Sequence, residues 1–200
     1  MDFDFKKDPF TNFLDLFKAA QIKGVPEHNA MALATVGANL QPSVRIVLYK
    51  GMIRRGFSFF TNYDGRKGQE LAKNNNVAAT FFWPHLDQQI RIEGKAEKLS
   101  PAESDTYFAS RPRLSQLGAW SSNQSEKIES FTSFQQKLDE IELKFSGKVV
   151  TRPPHWGGFR IVPTEIEFWF GKAGRLHERY VYQTDDSSTD TNWNRFLKSP

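Results

Sequence analysis

The first hundred residues leave a chain like this little choice of sheet. Five segments rich in Val, Ile, Phe and Thr, namely Ala30 to Val36, Ser43 to Lys50, Phe57 to Asn62, Val77 to Trp83 and Gln88 to Leu99, are separated by Gly, Asn and Pro turns. Gly37-Ala38-Asn39 and Arg54-Arg55-Gly56 are too short to hold the crossover helix that a parallel pair requires, so these strands join as antiparallel hairpins. After Arg152-Pro153-Pro154 the pattern resumes in Gly158 to Val162, Ile166 to Phe170 and Leu176 to Gln183, with Gly171 to Gly174 turning the last hairpin. Asp185 to Asn192 reads as a polar surface loop before a final segment, Trp193 to Lys198. Unpaired edges invite aggregation, so the expected architecture is mainly β, an antiparallel sheet curled into a barrel with peripheral helices. No repeat or linker divides residues 1–200, which predicts a single domain.

Helices are expected at four places. Asp8-Pro9 supplies an N-cap and a first-turn proline for a helix to Gln21 that sets Phe10, Phe13, Leu14 and Phe17 on one face. Asp64 is the candidate cap of a short helix opened by Gly65-Arg66-Lys67-Gly68 and running to about Asn74. Ser100-Pro101-Ala102-Glu103 reads as a capping box for a helix that carries Tyr107 and ends near Arg111-Pro112. From Ser125 to about Phe145, Ile128, Phe131, Phe134, Leu138, Ile141 and Phe145 recur every three or four residues. That spacing predicts a long helix laying one apolar face on the core, stopped by Gly147.

Composition removes several kinds of chemistry. Cysteine is absent, which excludes disulfide scaffolds, thiol nucleophiles, zinc ribbons and thiolate-held iron–sulfur clusters. His28, His85, His155 and His177 are scattered without metal-ligand spacing, so no metal site is expected. No nucleophile elbow, Walker loop or dinucleotide fingerprint occurs. The N-terminus lacks the order of a signal peptide, and no apolar run is long enough for a bilayer, which predicts a soluble, cytoplasmic protein. The net charge of +4 is a mild basic excess that decides little by itself.

The placement of the cations is more informative. By strand alternation Arg45 and Lys50 point to opposite faces unless a bulge intervenes, and the plain reading makes both strand-end charges reaching solvent. Gly65-Arg66-Lys67-Gly68 combines glycines at a helix start with two countercharges, a candidate phosphate site whose plain alternative is an exposed turn. Tyr107 and Arg111 lie one helical turn apart and could share an oxyanion, with Ser115 adding a hydroxyl; a helix C-terminus would equally favour the arginine. Gln124-Ser125 opens the expected long helix, as ligand donors or as a simple cap. Arg175, His177 and Arg179 alternate onto one strand face, which must border solvent or an anionic ligand.

Taken in order, these segments resemble the pyridoxine/pyridoxamine 5′-phosphate oxidase family over nearly the whole chain. The resemblance rests on Arg45-Ile-Val-Leu-Tyr-Lys50, Phe60-Thr61-Asn62, Arg66-Lys67, Gln89 in the strand ending Gly94-Lys95-Ala96-Glu97, and Ser110-Arg111-Pro112-Arg113. It extends through Ser115-Gln116-Leu117-Gly118-Ala119-Trp120, Gln124-Ser125, Ile166-Glu167-Phe168-Trp169 and Arg175-Leu176-His177-Glu178-Arg179. It implies a split β-barrel homodimer holding FMN at the subunit interface. Carried over, it places Arg45, Lys50, Thr61, Arg66, Lys67, Gln89, Gln124, Ser125, Trp169 and Arg179 around FMN, with Phe60 acting mainly through its backbone. It places Lys50, Tyr107, Arg111 and Ser115 at the substrate phosphate, and Arg175 and His177 as catalytic residues over the pyridine ring.

The activity so implied is oxidation of pyridoxamine or pyridoxine 5′-phosphate to pyridoxal 5′-phosphate, with O2 reduced to hydrogen peroxide. The alternatives are a related FMN-dependent oxidase with another substrate, such as those of phenazine biosynthesis, and a non-catalytic flavin or pyridoxal phosphate binder. RNA binding has only the mild charge and the Phe-rich strands behind it, and those aromatics belong in a core, so no nucleic-acid or membrane partner is expected. The chain departs from the family pattern at Phe60, where tyrosine is common, at Glu27, where aspartate is often found, and at the ending Leu197-Lys198-Ser199-Pro200; eight residues precede Pro9, fewer than in many relatives.

Overall fold

The computed structural model describes residues 3–185 and 193–200. The expected loop at 185–192 lies, apart from Asp185, outside the described residues. The chain runs through α1 (Pro9–Ile22), β1 (Ala30–Val36), β2 (Pro42–Leu48), β3 (Met52–Ile53), β4 (Gly56–Asn62), α2 (Arg66–Lys73), β5 (Asn76–Trp83) and β6 (Gln88–Lys98). It continues through α3 (Pro101–Ala109), α4 (Arg113–Ser121), α5 (Phe131–Lys144), β7 (Trp156–Phe170), β8 (Glu178–Gln183) and β9 (Asn194–Leu197).

Every pairing is antiparallel, in the order β2-β1-β5-β6-β7-β4-β3, as the short turns require. The chain just past β2 returns to β4: Lys50 N–H donates to Ser58 O at 2.9 Å and Ser58 N–H to Gly51 O at 3.0 Å, which closes the ring. The split lies in β7. One edge of it pairs with β6 over Phe159 to Phe170, whereas the other pairs with β4 over Trp156 to Ile161 and with β8 over Glu165 to Phe170. Two strands expected here are thus one. Pro163 is accommodated because it sits between the reach of β4 and that of β8, where the β6 register also shifts, so no ladder bond is lost.

Alternation along β1 and β5 buries Met31 and Leu33, and Val77, Ala79, Phe81 and Trp83. α1 covers one end of the barrel, where the ring of Phe13 meets Phe57 edge-on at 4.7 Å and Phe81 at 5.2 Å. Each such fully buried phenylalanine is worth about 1.5–3 kcal/mol in transfer terms. Leu14, expected on this face, is exposed. A second cluster, comprising Phe108, Leu117, Phe145, Val150 and Trp156, ties α3 and α4 to the start of β7.

Several local expectations give way. Asp64 does not cap α2; Gly65 holds that position without a side-chain bond, and Asp64 N–H instead receives support from Asn62 Oδ1 at 2.8 Å. α3 has its capping box but ends at Ala109, and α4, which was not anticipated, starts directly after Pro112. α5 begins only at Phe131, capped reciprocally by Ser130 and Ser133. Ser125 cannot open it, because its φ of 72° is left-handed. α5 contains no fully buried residue; Ile128 and Phe131 are exposed, and only Leu138 and Ile141 pack against the second cluster. Near the end, Arg175 lies in a 3-10 turn with φ 62° and β8 begins at Glu178, so Arg175, His177 and Arg179 do not share a strand face. Among the described residues no helix is long and apolar enough to cross a membrane.

Candidate active site

Strand β2 carries Arg45 opposite Leu33 of β1. Its guanidinium reaches back across β1: Nη1 donates to Leu33 O (3.1 Å) and Thr35 Oγ1 (2.5 Å), and Nη2 to Ser43 Oγ (2.5 Å) and Glu70 Oε2 (3.1 Å). From α2, Lys67 Nζ donates to Thr61 Oγ1 at 2.7 Å and to Gln124 Oε1 at 2.5 Å. Burial, and then the nearby Arg45 charge, pull the Lys67 ammonium down to about 8. Two glycines make this approach possible. A Cβ at Gly68 would lie 2.0 Å from Tyr63 O, so the start of α2 can lie against that backbone only with hydrogen there, and one at Gly65 would press on Gln124 Oε1 at 3.0 Å.

Exposure alternates along β2 and past its end: Arg45 and Val47 are half-buried and Tyr49 is buried, whereas Ile46, Leu48 and Lys50 are exposed, so Arg45 and Lys50 point to opposite faces as expected. Both nevertheless line the same hollow. A second group stands beside this one. The rings of Phe60 and Tyr107 stack with centroids 3.8 Å apart, Trp156 lies 5.5 Å from Phe60 and nearly parallel, and Arg111 Cζ sits 4.6 Å over the Trp156 ring. Phe60 therefore brings its ring to this group. Arg111 Nη1 is buried and has no hydrogen-bond partner, and burial lowers the pKa of this guanidinium, with Tyr107 opposing the shift. Arg113 turns away, donating to Phe145 O and Lys148 O behind α5.

The two clusters open onto one cavity of about 540 Å³. It is lined by Arg45, Lys50, Phe60, Thr61 and Lys67, and by Tyr107, Arg111, Ser115, Gln124 and Trp156. Four cations line it without a carboxylate. A desolvated cation with a spare donor, in a hollow without countercharge, is a receptor for an anion.

The remaining expected residues lie elsewhere. Gln89 faces Trp169 across β6 and β7, and Trp169 faces Arg179 across β7 and β8. The His177 ring lies 4.6 Å from the Trp169 ring, and Arg175 is exposed beside them. Arg179 is already engaged, with Nε and Nη2 on the two oxygens of the buried Glu167 at 2.8 and 3.0 Å. Burial alone would raise the Glu167 pKa, but Arg179, Arg91 and Lys198 outweigh it and hold the carboxylate ionised. This patch does not line the cavity, so one chain holds two separate parts of the expected constellation. Arg66 is exposed, its Nε on Glu70 Oε1 at 2.9 Å, and Ser125 lines a neighbouring hollow.

Two residues were not anticipated. Trp156 gave no signal beyond an aromatic after Pro153-Pro154. Glu70 was detectable, as the i+4 partner of Arg66 on a helix.

The FMN that the resemblance implies fits this cavity on its own chemistry: Arg45, Lys67, Thr61 and Gln124 offer one anion cradle, and Lys50, Tyr107, Arg111 and Ser115 offer another. Residues 17–145 match the family model described as pyridoxamine 5′-phosphate oxidase, and residues 156–200 match the pyridoxine 5′-phosphate oxidase C-terminal dimerisation region, which supports a homodimer. Pyridoxine/pyridoxamine 5′-phosphate oxidase of Bdellovibrio bacteriovorus is 54% identical over 99% of this chain and 100% of its own length. That of Nostoc punctiforme is 50% identical over 91% of this chain and 85% of its own. Among solved structures, PhzG from Burkholderia lata 383, in complex with tetrahydrophenazine-1-carboxylic acid, superposes with a TM-score of 0.90 at 28% identity, covering 96% of this chain and 93% of that one. A pyridoxamine 5′-phosphate oxidase-related, FMN-binding protein from Nostoc punctiforme shares the fold at a TM-score of 0.75 and 15% identity, over 98% of this chain and 100% of that one. Family and fold together support FMN as the cofactor. With both of its family regions matched and close relatives along almost its entire length, the chain belongs to the pyridoxine/pyridoxamine 5′-phosphate oxidase family.

Proposed function

We propose that this chain is an FMN-dependent oxidase that converts pyridoxamine 5′-phosphate and pyridoxine 5′-phosphate to pyridoxal 5′-phosphate. O2 is the acceptor and hydrogen peroxide the second product. The observation that carries the reading is the unpartnered Arg111 Nη1 in a cavity lined by four cations and no carboxylate. Bound FMN supplies hydride acceptance from the substrate C4′ and reoxidation by O2. Arg45 and Lys67, with Thr61 and Gln124, grip its phosphate. Lys50, Tyr107, Arg111 and Ser115 grip that of the substrate, so that the substrate ring is held at a fixed distance and angle.

Arg175 and His177 orient the pyridine ring, and His177 takes the proton leaving the C4′ hydroxyl or amine. In this reading the patch of Gln89, Trp169, Arg175, His177 and Arg179 completes the cavity of a second copy. The dimerisation region in 156–200 and the exposed apolar row Val44, Ile46 and Leu48, the last two lining the cavity, both favour that pairing. The proposed compartment is the cytoplasm; among the described residues no helix is long and apolar enough to cross a membrane.

The similarity to PhzG favours a second reading, a substrate carrying a ring carboxylate rather than a phosphate. Incubating the protein with FMN, O2 and each candidate separates them. Pyridoxal phosphate and peroxide formed from the two B6 phosphates support the first reading. Peroxide from a tetrahydrophenazine carboxylate alone overturns it.

A further inference from the structure

Glu70, on α2, is buried against β1 and β2 behind the cavity, yet does not line it. Its two oxygens gather four donors from three elements. Oε2 accepts from Thr35 Oγ1 (2.5 Å), Ser43 Oγ (2.7 Å) and Arg45 Nη2 (3.1 Å), and Oε1 accepts from Arg66 Nε (2.9 Å). Arg45 is held from every side by this group: Thr35 and Ser43, which bind Glu70, also accept from Arg45. A carboxylate so close to a site built for anions needs a reason, because its charge opposes the ligand's.

We propose that Glu70 is a positioning residue that fixes the Arg45 and Arg66 guanidiniums for the phosphate of FMN, and so sets the preference for FMN over the unphosphorylated flavin. This rests on the assignment of Arg45 and Lys67 to the FMN phosphate made above. Glu70 ties Arg45 through Nη2 and Arg66 through Nε: on Arg45 all four Nη hydrogens are then held by Leu33, Thr35, Ser43 and Glu70, which leaves Nε–H and the fixed charge for the phosphate, and on Arg66 both Nη groups remain. It also places a negative charge beside Arg45, which lets that guanidinium stand close to Lys67. The flexible arginine side chains are thus ordered before the ligand arrives, so less rotamer freedom is lost on binding. Burial would raise the Glu70 pKa, but the bonds from Thr35, Ser43, Arg66 and Arg45 outweigh it and lower it to about 2, so the carboxylate keeps its charge throughout the neutral range.

The test is Glu70→Gln in the full chain, with FMN and riboflavin affinities of the flavin-stripped protein read by quenching of flavin fluorescence. Loss of a negative charge, acting through space alone, would tighten FMN binding; loss of positioning loosens it. We expect FMN affinity to fall about tenfold while riboflavin affinity holds, so the ratio of the two falls by the same factor. An unchanged ratio overturns the proposal, whether both affinities hold or both drop together, as does a rise in FMN affinity. Should Glu70→Gln not fold, Ser43→Ala removes one bond to Glu70 and one to Arg45, and is expected to lower the ratio about threefold; an unchanged ratio there overturns the proposal equally. A wild-type protein that binds FMN no better than riboflavin is a separate result. It removes the assigned phosphate cradle itself, and this inference with it.

Discussion

The Trp156 ring lies beneath the Arg111 guanidinium, 4.6 Å from ring centroid to Cζ, and Arg111 Nη1 stays buried without a partner. The indole holds a cation ready in a place where nothing else neutralises it. Trp156→Leu keeps an apolar side chain but loses the ring face. The KM for pyridoxamine 5′-phosphate should rise about tenfold with kcat little changed, since a cation–π contact is worth about 1–2 kcal/mol when desolvated. Steady-state kinetics at saturating FMN check this; a change confined to kcat would assign Trp156 another role.

Lys67 titrates near pH 8 in the flavin-free protein, lowered first by burial and then by Arg45. Because the folded value lies below that of the unfolded chain, the charged form costs stability at neutral pH, and that cost is relieved as the pH rises through about 8. FMN binding runs the other way, since its phosphate needs the ammonium. FMN affinity should be level below about pH 8 and then fall by up to about tenfold per pH unit as one proton must be taken up. Lys67→Arg should flatten that limb. Fluorescence titrations from pH 7 to 9.5 provide the measurement.

The two parts of the constellation lie in different places on one chain, so they should complement in trans. Arg111→Ala and Arg175→Ala should each be nearly inactive alone, the second with FMN retention intact. If a site takes its parts from both subunits, mixing after partial unfolding and refolding should restore about a quarter of wild-type activity, because half of the dimers are hybrids with one intact site. No recovery would place both parts in one subunit.

Gly68→Ala puts a Cβ 2.0 Å from Tyr63 O, a backbone atom that cannot swing aside. α2 must shift, carrying Lys67 away from Thr61 and Gln124. A loss of about 1–3 kcal/mol in stability is expected, with weaker FMN retention. Thermal unfolding with and without FMN reads both effects, and a variant as stable and as yellow as wild type would contradict them.

Much of this was legible in the residues. Strand alternation and turn length gave β1, β4, β5 and β6 almost to the residue, and Asp8-Pro9 and the Ser100–Glu103 box marked their helices through local capping chemistry. The apolar spacing from Ile128 onward misled, because a period of three or four records a face without saying what covers it, and Ser125 adopts a backbone conformation that no pattern reveals. Alternation served better at Lys50, which stays on the face opposite Arg45 although β2 ends at Leu48. The segments Gly158 to Val162 and Ile166 to Phe170 proved to be one strand, because a proline where neither neighbour needs a donor leaves a strand whole. The cavity residues were recognised by type and order, but the grip of Thr35, Ser43 and Arg45 on Glu70 depends on three elements meeting, which no local window contains.

Strand β7 begins with Trp156 in the wall of the cavity and reaches, 13 residues on, Trp169 in the outlying patch. At about 3.3 Å per residue that is a span of roughly 40 Å along one hydrogen-bonded rod. On the proposed pairing, this strand is a ruler: the wall it builds for its own pocket and the wall it lends to its twin are kept at one spacing. A single residue added near Pro163 would lengthen the ruler and reverse which way every later side chain points, throwing both pockets of the pair out of step at once.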